Sequence, residues 1–193
     1  MVALCVIGAA TASTASAWKV NGKALVGKES IASGTTVLKS FVLTGGGVKI
    51  TCAGLTVKGG FIEAPSLNGA ESLEFTRCTA APATCKVKTA LATKPVKSTA
   101  SVNSVTKEDE VTFEPASGKV FIEIEFLGEE CALLGIQPVL GKVKAKMPNG
   151  LVESTSQKLV VSSSGELKLG VNAATLEAEF ELSLLSGLHW SSS

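Results

Sequence analysis

The stretch LEAEFELSL, Leu176 to Leu184, decides the fold. In an extended chain Leu176, Ala178, Phe180, Leu182 and Leu184 fall on one face, and Glu177, Glu179, Glu181 and Ser183 on the other. A period of two sustained over nine residues gives a strand one dry and one wet side, whereas a helix would need apolar positions every three or four residues. KVFIEIEFL, Lys119 to Leu127, repeats the pattern, with Val120, Ile122, Ile124 and Phe126 inward and Glu123 and Glu125 outward. GKVKAKM, Gly141 to Met147, does so with the opposite charge: Val143, Ala145 and Met147 alternate with Lys142, Lys144 and Lys146. These are half-buried strands of antiparallel sheets. Like charges are unfavourable on adjacent strands, so the three lysines should face solvent beside a strand bearing glutamates, that of Glu123 and Glu125 or that of Glu177, Glu179 and Glu181.

Weaker alternation runs through WKVNGK, TTVLKSFVL, VKITCAGLTVKGGFI, SLEFTRC, CKVKTALA, EVTFEP and KLVVSSS, with turns expected at GGG, PSLNG, EPASG, MPNG and SSSG. That makes about nine to eleven strands and no convincing helix. The Ser, Thr and Lys-rich segment from Thr93 to Glu110 is expected to be a long loop or an irregular edge strand. The predicted fold class is all-β: a single domain, residues 18–193, built as an antiparallel β-sandwich or a flattened β-barrel.

Before that domain, Val2 to Ala10 form an apolar run too short to span a bilayer. Small residues follow, ending in Ala15-Ser16-Ala17, so residues 1–17 read as a signal peptide cut after Ala17. No Lys or Arg precedes the run, as expected of a chain whose start lies upstream of Met1 or is truncated. Leu4 stands before Cys5 where a lipid-modified cysteine would need a small residue, so Cys5 belongs to the discarded segment. The chain of 193 residues carries 18 basic and 17 acidic side chains, a balance that argues against nucleic acid or an anionic membrane as partner. No later apolar stretch is long enough for a transmembrane segment, and the expected location is secreted or cell surface.

Export leaves Cys52, Cys78, Cys85 and Cys131, an even number in an oxidising compartment. None lies in C-x-x-C spacing, and the one histidine, His189, is far away, so neither a zinc site nor a redox pair is indicated. Two structural disulfides are expected. Cys78 could bridge Cys85 across TAAPAT, leaving Cys52 to Cys131, or Cys52 could bridge Cys78 and Cys85 bridge Cys131. The second is preferred because VKITC and LEFTRC read as two strands flanking a turn-rich segment.

In the order ITC, LEFTRC, FEPASGKVFIEIEF and GELKLGVNAATLEAEFEL, the chain resembles uncharacterised secreted all-β proteins of Gram-positive soil bacteria. The resemblance covers most of residues 18–193 and implies an exported all-β fold. That group has no established activity, so the resemblance implies no cofactor, partner or site residue.

The residues themselves supply little chemistry. Asp109 is the single aspartate, His189 lies near a polar terminus, and no G-x-S-x-G elbow exists for a serine nucleophile. Most glutamates alternate along strands, and the adjacent pair Glu129-Glu130 reads as a turn rather than as the acid and base of a glycosidase. One aspartate cannot furnish a calcium loop. TGGGVK, Thr44 to Lys49, lacks the Lys-Ser or Lys-Thr ending of a phosphate-binding loop and reads as a hairpin turn. With no tyrosine, and with Trp18 and Trp190 near the two ends of the domain, there is no aromatic platform for sugars; the two tryptophans read as end anchors, or as one apolar patch if the first and last strands are neighbours. No catalytic, cofactor or metal residue is expected. The function expected is a non-enzymatic exported structural or surface-interaction protein of the cell envelope or extracellular space. Its partner would be an unknown protein or envelope component, with self-association through strand edges. The alternative is a binding module for a small apolar ligand or a glycan, to be distinguished by an internal cavity.

Overall fold

The structure is a computed structural model that describes residues 18–64, 67–103, 106 and 108–192. The expected signal peptide, residues 1–17, lies outside the described residues. Two short strands, β1 (Trp18–Val20) and β2 (Lys23–Ala24), open the described chain. Next come six long legs, each interrupted near its middle: β3 (Lys28–Ser30) with β4 (Thr36–Gly45), β5 (Val48–Lys58) with β6 (Phe61–Glu63), β7 (Leu67–Ala70) with β8 (Ser72–Ala81), β9 (Ala90–Ala92) with β10 (Val96–Val102), β11 (Asp109–Pro115) with β12 (Val120–Phe126), and β13 (Gly135–Leu140) with β14 (Val143–Met147). Two more are continuous strands, β15 (Ser156–Leu169) and β16 (Asn172–Ser183), and β17 (Trp190–Ser192) follows.

Each leg pairs antiparallel with the next, in both of its halves. β4 pairs β5 while β3 pairs β6, β5 pairs β8 while β6 pairs β7, and β8 pairs β9 while β7 pairs β10. The fourth and fifth legs join through β10 and β11, and at the other half through the Lys94 N–H, which donates to the Phe121 carbonyl at 2.7 Å, and a bridge between Lys86 and Leu127. β12 with β13 and β11 with β14 continue the series; β13 and β14 both pair β15, and β15 pairs β16 along its length. The eighth leg then returns to the first. β16 pairs β4, and past its end the Ala32 N–H donates to Ser183 (2.9 Å) and the Leu185 N–H to Ser30 (2.8 Å). The strongly curled sheet is thus linked leg to leg in chain order and back to its start, an eight-legged up-and-down barrel. The all-β antiparallel class expected, a sandwich or flattened barrel with two disulfides, is the one found, as a single strongly curled sheet.

The interruptions come from local backbone chemistry. Gly141, at φ 114°, divides β13 from β14, and a Cβ there would stand 1.9 Å from the Glu166 carbonyl oxygen, so no other residue lets the two legs approach. In the fifth leg Ala116 donates to Pro95 and Phe121 accepts from Lys94, so residues 117–120 bulge out of register. Gly46 and Gly47, at φ 57° and 77°, make the tight turn between β4 and β5 expected from GGG.

The inward face is mainly apolar, with Asn68, Ser98, Asp109 and Gln157 among its buried polar exceptions. Ile124, Phe126, Leu159, Leu167, Leu169, Ala178 and Phe180 are buried, each of the larger ones contributing roughly 1.5–3 kcal/mol. Both expected disulfides form with the preferred pairing, Cys52–Cys78 and Cys85–Cys131. Cys52 and Cys78 are direct partners on adjacent legs, whereas Cys85 and Cys131 tie the loop after the third leg to the loop after the fifth.

Several expectations change. Among the described residues seventeen strands replace the count of about nine to eleven, because long stretches such as VKITCAGLTVKGGFI break at Gly59-Gly60. The segment from Thr93 to Glu110 is neither a long loop nor an edge: β10 lies between β7 and β11, with Val96, Ser98 and Ala100 turned inward. SSSG is no turn but the middle of β15, with a register shift between Ser164 and Leu167. PSLNG contributes Leu67 to Gly69 to β7. Lys142, Lys144 and Lys146 do face solvent, yet their neighbours are β11 and β15 and neither expected strand. Lys142 pairs with Glu114 at 3.0 Å and Lys146 with Glu108 at 2.6 Å. The reason is the broken leg: β14 occupies the half of the barrel that holds β11, while Glu123 and Glu125 of β12 reach Lys94 and Lys88, and Glu177 and Glu179 reach Lys39 and Lys158.

Candidate functional site

Two adjoining cavities lie inside the curled sheet among the described residues. The larger, about 110 Å³, lies in the half built from β4, β5, β8, β9, β12 and β13, among Phe41, Ile50, Leu91, Ile124, Val139 and Leu167. The smaller, about 60 Å³, lies in the other half, among Ile62, Asn68, Ser98, Met147, Trp18 and Trp190. Leu55, Leu73, Phe113 and Phe180 line both, so the two spaces adjoin at these side chains. The larger cavity is lined by apolar groups and Thr93, whose hydroxyl already accepts the Leu73 N–H at 2.9 Å.

Each end of the barrel is closed differently. At the bridged end, Cys85–Cys131 fastens the loops over the larger cavity, and Leu133 of the same loop lies buried against the Gly46 turn. At the plugged end, the two ends of the domain form a small separate sheet in which β1 pairs both β17 and β2. WKVNGK makes that hairpin because Asn21 and Gly22 both adopt positive φ. The expectation that neighbouring first and last strands would join the tryptophans holds: Trp18 and Trp190 are each 2% exposed, with ring centroids 5.5 Å apart. The patch they make is buried inside the plug. Polar bonds fix it from beneath. Trp18 Nε1 donates to Asn68 Oδ1 at 2.6 Å, the Ser192 hydroxyl to the buried Asp109 carboxylate at 2.8 Å, and Gln157 Nε2 to the carbonyls of Trp190 and Val152 at 2.5 and 2.9 Å.

The residues weighed for catalysis do not converge. His189 is exposed at the plugged end, where its N–H donates to Asn21, while Ser192 and Asp109 meet in the buried layer of the same plug. Glu129 and Glu130 lie in the bridged loop before Cys131, as a turn. Among the described residues no group of three or more His, Cys, Asp or Glu side chains is placed to hold a metal ion. No helix of the described residues is long and apolar enough to cross a membrane.

The salt bridges lie on the outer wall. The Lys142 ammonium, and after it Lys97, hydrogen-bonds Glu114 and holds its carboxyl below the usual glutamate range. Lys146 does the same to Glu108 and is itself raised by it, and Lys158 lowers Glu179. Reading the sequence missed Asn68, hidden in an expected turn, and Phe113 and Leu73, whose strands were read as weak; their one signal was alternation over four to six residues.

The arrangement defines a class: an up-and-down β-barrel with a charged outer wall, an apolar interior and both ends covered. No protein-family model, curated protein or solved structure matches the chain.

Proposed function

We propose that this protein is an exported, non-enzymatic β-barrel that holds a small apolar molecule in its interior, secreted or displayed at the cell surface. One observation carries the reading: a cavity of about 110 Å³ bounded by Phe41, Ile50, Leu91, Ile124 and their neighbours inside a closed ring of strands. Unfilled space of that size costs roughly 2–3 kcal/mol, which an occupant would recover. The volume is below the roughly 300–1,000 Å³ of drug-sized pockets and near the roughly 150 Å³ of cavities that take up benzene. The ligand is therefore small, and a glycan is disfavoured by size and by the lack of polar lining. The two disulfides and the A-x-A pattern before Trp18 support export.

The test has two arms. Benzene or toluene at saturation should raise Tm by a few degrees, and native mass spectrometry of protein secreted by a bacterial host should show a chain beginning at Trp18 with four protons fewer than the reduced form. No thermal shift with any small apolar compound would sink the binding reading, and a retained leader would sink the export reading.

A second reading, a surface-interaction module for an envelope partner, is favoured by the bridged end. There Leu127, Leu134, Ile136 and Val171 are all exposed on neighbouring loops and strand ends. Self-association through strand edges would have to use short edges such as the outer side of β2, since the long legs are paired on both sides. A concentration-dependent molar mass by light scattering, abolished by Ile136→Lys, would favour this reading over the first.

A further inference from the structure

The two cavities differ in one chemical respect. The larger presents hydrocarbon and a hydroxyl already engaged with the backbone, whereas the smaller holds two indole N–H groups. Trp18 Nε1 is satisfied by Asn68. Trp190 Nε1 is buried and has no hydrogen-bond partner among the described residues, although Trp190 lines the cavity. Such orphaned donors are rare in folded proteins, because a buried N–H without an acceptor has lost its water and gained nothing in exchange. Neither cavity is lined by Lys, Arg or His. A carboxylate brought here would be stripped of water with no cation to meet it.

We propose that the two adjoining cavities accept a neutral, mainly hydrocarbon molecule bearing one hydrogen-bond acceptor, such as a short-chain ketone, ester or alcohol, with its oxygen on Trp190 Nε1 and its tail displacing the shared Phe113 and Phe180 side chains to reach the larger cavity. This rests on the apolar-ligand reading above and adds the polar anchor and the exclusion of fatty acids. The tail fills the space lined by Phe41, Ile124 and Leu167, and the acceptor completes the one buried side-chain donor left unmatched among the described residues.

The protein supplies its own reporter, since Trp18 and Trp190 give the two side-chain indole N–H signals of residues 18–193 in a ¹H–¹⁵N spectrum. The folded chain is titrated with 2-hexanone, n-hexane and hexanoate at neutral pH, with Trp190→Phe assigning the peaks. The ketone should move the Trp190 indole proton downfield and bind at least tenfold more tightly than hexanoate. Trp190→Phe should weaken ketone binding about threefold to tenfold while changing hexane binding less. Hexane and hexanone binding equally, an unmoved Trp190 indole, or hexanoate binding as tightly as the ketone would overturn the anchor and leave the apolar cavity standing. If none of the three binds, both proposals fall. Should Trp190→Phe fail to fold, the ligand series on the native chain decides alone, with Trp18→Phe assigning the peaks.

Discussion

The bridged end and the plugged end close one barrel by unlike means. At the first, a covalent bond between Cys85 and Cys131 holds two loops together, and the second disulfide, Cys52–Cys78, lies in the same half. At the second, the closure is a three-stranded sheet of the chain's own ends, held by buried hydrogen bonds and a tryptophan pair. A disulfide acts mainly by restricting the unfolded chain, so it persists when water enters. A buried polar bond has net value only while water is kept out. The plugged end should therefore be the one that opens, and the smaller cavity with its tryptophans lies beneath it.

The largest effects test whether the two halves share one core at all. Ile124→Glu, in the bridged half, should abolish folding or export, because it buries an unpaired charge among hydrocarbon. A folded Ile124→Glu protein would show that the strand faces are misassigned and the comparison with them. Next come the bridges. Replacing Cys85 and Cys131 by serine should cost about 4 kcal/mol, and replacing Cys52 and Cys78 about 3.5 kcal/mol, the longer loop counting for more. Denaturant unfolding measures both, and costs near zero would remove the covalent half of the contrast.

At the plugged end the expected change is smaller and local. Asp109→Asn or Ser192→Ala should cost about 1–3 kcal/mol. Native-state hydrogen exchange should show the amides of β1 and β17 opening before those of β5 and β8, and faster still in the variants. Equal protection at both ends would break the comparison outright. Smallest of all are the outer-wall charges. Lys144→Glu should cost about 0–1 kcal/mol and be insensitive to which end it lies nearer. The lowered carboxyls of Glu108, Glu114 and Glu179 stabilise the fold above the ordinary glutamate range, and that stabilisation is lost as pH falls through their depressed values. Lys146, raised, contributes below the ordinary lysine range and loses its contribution as pH rises through its folded value. A denaturation midpoint followed into acid should fall slightly, and less in high salt; a rise would contradict the pairing.

What could be read from the sequence followed how strongly each strand alternates. β16 showed its faces as expected, because apolar and charged side chains alternate without interruption. β12 was nearly as clear, but the register shift between Val120 and Ile122 turned Phe121 inward, where strict alternation had put Val120. β10 was illegible because its inward positions include Ser98 and Ala100, small residues that look like a loop. The cavity was invisible for a related reason: no single strand carries it, and its walls are residues such as Leu55, Leu73 and Phe113 that only ring closure brings together. The tryptophan pair was foreseen as a possibility, since it needed only that the first and last strands meet.

The return of the eighth leg to the first sets the order in which this chain can finish folding. Lys39 and Glu177 are salt-bridged on adjacent strands although 138 residues separate them. Contacts so distant along the chain form late and slowly, because the entropy of closing the loop must be met before any pairing rewards it. Until β16 arrives, β4 and β15 present open edges and the interior lies exposed to water. An N-terminal fragment thus has no stable ring to fall into, and closure of the barrel is the expected late step of folding.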